Sequence, residues 1–119
     1  MGIGVNLSCP CFGSLTMRVG PRLRPPRYCL FPFLCTSCWT TSTLDIYAES
    51  PACDRCGSAA VVPYGRAPAV GELGAKVVYA CGPTPRFSAE DLTLTDGTYW
   101  CPTCQDPTAR FEDAGTLWD

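Results

Sequence analysis

Cysteine decides what this chain can fold into. It occurs ten times in 119 residues, and six of the ten fall into Cys-x-x-Cys pairs: Cys35 with Cys38, Cys53 with Cys56, and Cys101 with Cys104. Twelve prolines and eleven glycines interrupt the rest of the chain, so long helices are not expected. A domain this short buries a modest apolar core and calls for disulfides or metal to hold it together.

The setting separates those two staples. No basic residue precedes Arg18, and no sustained apolar stretch opens the chain, so no secretory signal is visible. No apolar run approaches the ~20 residues needed to span a membrane; the run from Tyr28 to Leu34 is too short and contains Pro32. The expectation is a cytoplasmic, reducing environment, where closely paired cysteines hold metal or do redox chemistry.

Fourteen residues separate Cys35-Thr36-Ser37-Cys38 from Cys53-Asp54-Arg55-Cys56-Gly57. Two intervening residues let the backbone turn so that both sulfurs of a pair point at one ion, and the glycine after Cys56 eases the turn. Two such knuckles supply four soft ligands in a tetrahedral arrangement. From Phe33-Leu34-Cys35, through Cys53 to Ser58, to Val61-Val62-Pro63-Tyr64, the chain resembles a zinc ribbon of the rubredoxin-like kind, over roughly residues 28–64. The resemblance implies a zinc-binding fold, whereas zinc ribbons serve many roles. Iron, and with it electron transfer, uses the same ligands. Trp39 stands after the first knuckle, where rubredoxins carry glycine or a similarly small residue, and this favours zinc.

A second site is assembled from Cys9, Cys11, Cys101 and Cys104. Cys101-Pro102-Thr103-Cys104 is a regular knuckle behind Tyr99 and Trp100. Cys9-Pro10-Cys11-Phe12-Gly13 is irregular, with Phe12 where the second cysteine of a knuckle belongs. Cys29 and Cys81 lie in apolar runs and read as buried small hydrophobes, and either remains open as a replacement fourth ligand. The expected cofactor is therefore Zn²⁺, one or two ions per chain. Trp39, Tyr99, Trp100 and Phe111 read as packing residues rather than a base-stacking platform.

Catalysis is not expected. The chain contains no histidine, which removes Ser–His and Cys–His pairs and the histidine signatures of zinc proteases and deaminases. Four-cysteine zinc sites are closed, whereas catalytic zinc keeps an open position. No glycine-rich phosphate loop appears, and the βαβ context of a thioredoxin-like pair is missing.

The fold class expected is small, mostly β and metal-stabilised, with zinc-ribbon knuckles, short β-hairpins and long loops. Three segments are expected: 1–27, an N-terminal knuckle and an Arg/Pro arm; 28–64, the ribbon; and 65–119, a loop, a hairpin and the second knuckle, packed with the N-terminal segment. Arg18 to Arg27 holds three prolines and a glycine, which favour an extended arm over sheet. Tyr28 to Leu34 reads as an edge strand because of Pro32. Thr40–Tyr47 and Ala59–Tyr64 read as partner strands, and Lys76–Cys81 as a short β-prone run. Ser88 to Asp91 resembles a capping box. Asp96-Gly97 between Leu92–Thr95 and Thr98–Trp100 signals a two-residue hairpin. A last short strand is expected around Arg110 to Glu112.

Charge points to partners. Residues 1–44 carry Arg18, Arg22, Arg24 and Arg27 and no acid, a balance of +4, while residues 45–119 balance at −6. Each ion held by four thiolates adds −2, so two would take the formal charge from −2 to −6. Bulk electrostatics therefore disfavour nucleic acid. A local role for the four arginines on a phosphate backbone is the first expectation for a partner, a protein-binding adaptor the second. No membrane contact and no small-molecule substrate are indicated.

Overall fold

The computed structural model describes residues 2–11, 13–21 and 28–118. Among them are nine strands and no helix: β1 (Gly2–Cys9), β2 (Gly13–Pro21), β3 (Cys29–Cys35), β4 (Thr41–Asp45), β5 (Val61–Pro63), β6 (Val77–Ala80), β7 (Thr93–Thr95), β8 (Tyr99–Cys101) and β9 (Asp106–Trp118). The chain is thus small and all-β, as expected, and carries cysteine clusters able to bind metal. No helix among the described residues is long and apolar enough to cross a membrane.

Seven strands form one antiparallel sheet in the order β4-β3-β2-β1-β9-β8, with β5 also on β3; β6 and β7 pair separately. The β1–β2 hairpin is the middle of this sheet. Along β1, Val5, Leu7 and Cys9 are buried while Asn6 and Ser8 are partly exposed, and Met17 and Val19 continue the buried face on β2. This period-two alternation is the mark of a half-buried strand. It overturns the reading of Arg18 to Arg27 as an arm outside the sheet over its first four residues, since Arg18–Pro21 belong to β2. Residues 22–27, with Arg22, Arg24 and Arg27, lie outside the described residues.

Pro32 does not confine β3 to an edge. Leu34 pairs with Thr41 of β4 on one side and with Val62 of β5 on the other, so β5 partners β3 and not β4 as expected. A strand residue's nitrogen and carbonyl face the same side. The Pro32 carbonyl accepts the Tyr64 N–H at 3.0 Å, so the ring nitrogen faces that side too. There, β2 pairing has ended at Leu30 and β5 pairing starts only at Phe33. No ladder bond to β4 is lost.

The Asp96-Gly97 signal is also overruled. β7 pairs with β6 and β8 with β9, because the glycine-rich segment from Gly71 to Gly74 lies where β7 would meet β8. Gly71 N–H donates to the Thr98 carbonyl, and Thr98 N–H to that of Glu72, at 2.8 and 2.9 Å. A Cβ on Gly97 would collide with the Glu72 carbonyl. Ser88 and Asp91 do make reciprocal capping bonds, Ser88 N–H to the Asp91 carboxylate at 3.1 Å and Asp91 N–H to the Ser88 hydroxyl at 3.2 Å, around a turn. β9 runs thirteen residues rather than three, because β1 gives it a partner from Ser8↔Arg110 to Gly2↔Trp118. The register shift between Ile3 and Val5 is absorbed at Gly115, whose φ is 73°.

The core joins both halves of the chain. Tyr64, Tyr99 and Phe111 are fully buried and pack mutually, with centroids 4.9 to 6.1 Å apart. The Thr41 hydroxyl lies 2.5 Å from the Tyr64 hydroxyl, which donates to the Trp100 carbonyl at 3.2 Å. This one oxygen links the β3–β4–β5 part to β8. Tyr64→Phe should therefore destabilise the metal-loaded protein by about 1 kcal/mol in urea unfolding, since it leaves the half-buried Thr41 hydroxyl and Trp100 carbonyl without this partner. An unchanged midpoint would show that the link carries no stability.

Candidate metal centres

The first quartet is built by a strand end and two turns. β3 delivers Cys35, the following turn presents Cys38, and the turn before β5 presents Cys53 and Cys56. Their four sulfurs lie within 4.8 Å of one another, with Cys35–Cys56 and Cys38–Cys53 both at 3.6 Å. A tetrahedron with Zn–S bonds of ~2.3 Å has sulfur–sulfur edges of about 3.8 Å, so the spacing fits one ion. The Cys38 and Arg55 amides point at the Cys35 and Cys53 sulfurs at 3.4 Å. The Thr40 hydroxyl lies 3.0 Å from the Cys38 sulfur and 3.9 Å from that of Cys53.

The second quartet joins the two ends of the described chain. Cys9 closes β1, Cys11 projects from the β1–β2 turn, Cys101 closes β8 and Cys104 follows in the turn before β9. These sulfurs also lie within 4.8 Å of one another. Cys9 is 3.3 Å from Cys11 and 3.4 Å from Cys104, and Cys11 is 3.4 Å from Cys101. Cys11 and Cys104 touch as the two halves of a disulfide would, with Cα atoms 6.6 Å apart. The convergence of Cys9 and Cys101 on the same point makes the group a four-sulfur cage. The irregular Cys-x-Cys spacing has a structural reason: Cys9 pairs with Gly13 where β1 passes into β2, so a β-hairpin delivers the pair in place of the usual knuckle.

One backbone device recurs at all four turns. The fourth residue after the first cysteine of each pair has a positive φ: Gly57 at 75°, Trp39 at 59°, Gln105 at 57° and, after the hairpin turn, Gly13 at 90°. In the three knuckles that residue's N–H donates to the carbonyl of the first cysteine at 2.8 to 2.9 Å. Glycine takes this conformation freely, while a side chain costs ~1–2 kcal/mol.

The sulfurs of a quartet do not titrate alike. The Cys56 and Arg55 amides pull the Cys53 thiol down to about 6. Against the Ser58 amide, desolvation and the facing sulfurs of Cys38, Cys35 and Cys53 push Cys56 up to about 12. In the second quartet the Thr108 hydroxyl and the Cys11 amide lower Cys9. Four like charges cannot share so small a cage unless a cation holds them.

All eight cysteines expected as ligands are thus brought together in two groups of four. Neither Cys29 nor Cys81 joins a quartet; they face each other instead, sulfurs 3.6 Å apart and buried. Arg18 is exposed on β2 and belongs to neither cage. The rings of Trp39 and Trp100, each adjoining a knuckle, pack at 5.1 Å and form one wall between the two turns. The Trp100 Nε1 is buried without a partner among the described residues. Compared with known protein families, curated proteins and solved structures, the chain matches none of them.

Purified under reducing conditions, the protein should carry two metal ions per chain, with eight of its ten thiols protected until a chelator removes them. One ion, with Cys11 and Cys104 recovered as a cross-linked pair, would reject the second cage. The turn geometry gives a paired test. Gly57→Ala, whose Cβ would meet nothing within 4 Å, should cost about 1 kcal/mol purely through φ. Gln105→Gly should add up to about 1 kcal/mol. Chelator-free thermal or urea unfolding reads both, and shifts of the same sign would refute the φ argument.

Proposed function

We propose that the chain is a non-catalytic zinc-ribbon module with two structural zinc ions, and that it associates with nucleic acid through its arginine-bearing N-terminal part. The observation that carries the reading is the pair of closed four-sulfur cages. A cage of four cysteines has no open position for substrate, and the chain contains no histidine to act beside it. Zinc is favoured over iron by the bulky Trp39 after the first knuckle. The geometry of that residue shows why the bulk is tolerated, since its ring packs on Trp100.

Support for a nucleic-acid partner is the segregation of charge. Arg18, Arg22, Arg24 and Arg27 stand without a single acid in residues 1–44. Four phosphate contacts give a salt slope near −3.6, so binding to a short duplex or single strand should weaken about 10²-fold between 50 and 200 mM salt. Replacing the four arginines with alanine should abolish it while leaving the metal content unchanged. Fluorescence anisotropy reads both arms.

A protein-binding adaptor is the second reading, favoured by the exposed apolar side chains of Tyr47, Leu73 and Val77. Salt-insensitive anisotropy, together with a captured partner that survives nuclease treatment, would replace the first reading with this one.

A further inference from the structure

Eight cysteines are accounted for by the two cages, and the remaining two meet in a third place. Cys29 opens β3, Cys81 follows β6, and their sulfurs lie 3.6 Å apart across 52 residues of sequence. Both are buried, Cys29 at 3% and Cys81 at 9% exposure. Above them opens a cavity of about 290 Å³, lined among others by Pro21, Ile46, Tyr47 and Tyr79. Among the described residues, the other ionisable groups acting on the pair are Asp45, Tyr47 and Tyr79.

We propose that Cys29 and Cys81 form a redox-active dithiol that is oxidised reversibly by a small-molecule disulfide entering this cavity. The two sulfurs are not equivalent. Cys81 is the more exposed of the pair, and its neighbours Ala80, Gly82, Pro83 and Thr84 line the cavity, so an entering disulfide meets Cys81 first. The thiols lean the same way: the facing Cys81 sulfur and burial raise Cys29, whereas the contact with Cys29 outweighs burial and lowers Cys81. Cys81 is therefore the nucleophile and Cys29 the resolving thiol.

The exchange balances without further reagents. The Cys81 thiolate attacks one sulfur of R–S–S–R, forming a mixed disulfide and expelling R–S⁻. The departing thiolate takes the Cys29 proton and leaves as R–SH. The Cys29 thiolate then attacks the Cys81 sulfur and expels the second R–S⁻. Two protein sulfurs are oxidised and one small disulfide is reduced to two thiols. The new bond ties the separate β6–β7 sheet to β3, so oxidation would rigidify that junction without touching the cages.

The test uses the full-length, metal-loaded protein and glutathione disulfide as the probe, with differential alkylation, peptide mapping and metal content read on the same sample. The expected result is loss of two free thiols, a linked Cys29–Cys81 peptide and full retention of metal. Cys29→Ser should stop at a glutathione adduct on Cys81, and Cys81→Ser should leave Cys29 unmodified. Should either variant fail to fold, the map of the unaltered protein decides alone. A Cys81 that stays reduced, or adducts confined to the eight cage cysteines with loss of metal, would overturn the proposal. The metal reading also separates this outcome from failure of the two-zinc reading, on which the dithiol does not depend.

Discussion

The meeting of Cys9 and Cys11 with Cys101 and Cys104 is the constraint on which the rest depends, because it ties the first strand to the last two across more than ninety residues. The sulfurs converge only if β1 lies beside β9 in the register that puts Ser8 opposite Arg110. That register in turn sets Leu7 opposite Phe111, with the buried Val5 two residues along β1 on the same face of the sheet. The energetic weight is plain from magnitudes. A structural zinc ion contributes ~10–16 kcal/mol of apparent binding energy, comparable with the whole net stability of a small domain, ~5–15 kcal/mol.

The knuckles show how sequence and geometry trade against each other. Four turns demand a left-handed residue in the same place, and glycine fills two of them, Gly13 and Gly57. At Trp39 the cost is offset by the ring contact with Trp100, since aromatic pairs contribute ~0.5–1.5 kcal/mol beyond simple burial. Gln105 is exposed and has no such contact among the described residues. Its conformation is imposed by its N–H, which must reach the Cys101 carbonyl for the turn to close. A bulky residue after a knuckle is thus compatible with the turn.

Much of the site was legible because metal ligation is a matter of local spacing. Two residues between cysteines fix the bite of a knuckle whatever the rest of the chain does, so Cys35, Cys38, Cys53 and Cys56 stand out at once. Cys9 and Cys11 were harder, since a hairpin delivers them and the cysteine spacing alone does not reveal a hairpin. The alternation of Val5, Leu7 and Cys9 with Asn6 and Ser8 does carry that signal. Pairing partners were least legible. Pro32 and Asp96-Gly97 are sound local signals, and each was overridden by a neighbour far away in sequence: Tyr64 accommodates the proline, and Gly71–Gly74 displaces the hairpin. Local chemistry says where a strand can run, while the partner is chosen by what else must be buried.

The two cages also differ in what closing them costs. The first spans 21 residues from Cys35 to Cys56, the second 95 from Cys9 to Cys104. In a flexible chain that difference amounts to about 1.3 kcal/mol of loop entropy. It is small beside the binding energy of one ion, so entropy alone would not keep ten cysteines in the right groups. The sheet does so instead. Cys35 and Cys29 sit at opposite ends of β3, and Cys9 ends a different strand, so each sulfur has its proper partners in reach only once the strands are paired. Sorting of the sulfurs is then a consequence of register: a one-residue slip in β3 would turn Phe31, Phe33 and both its cysteines to the wrong face together.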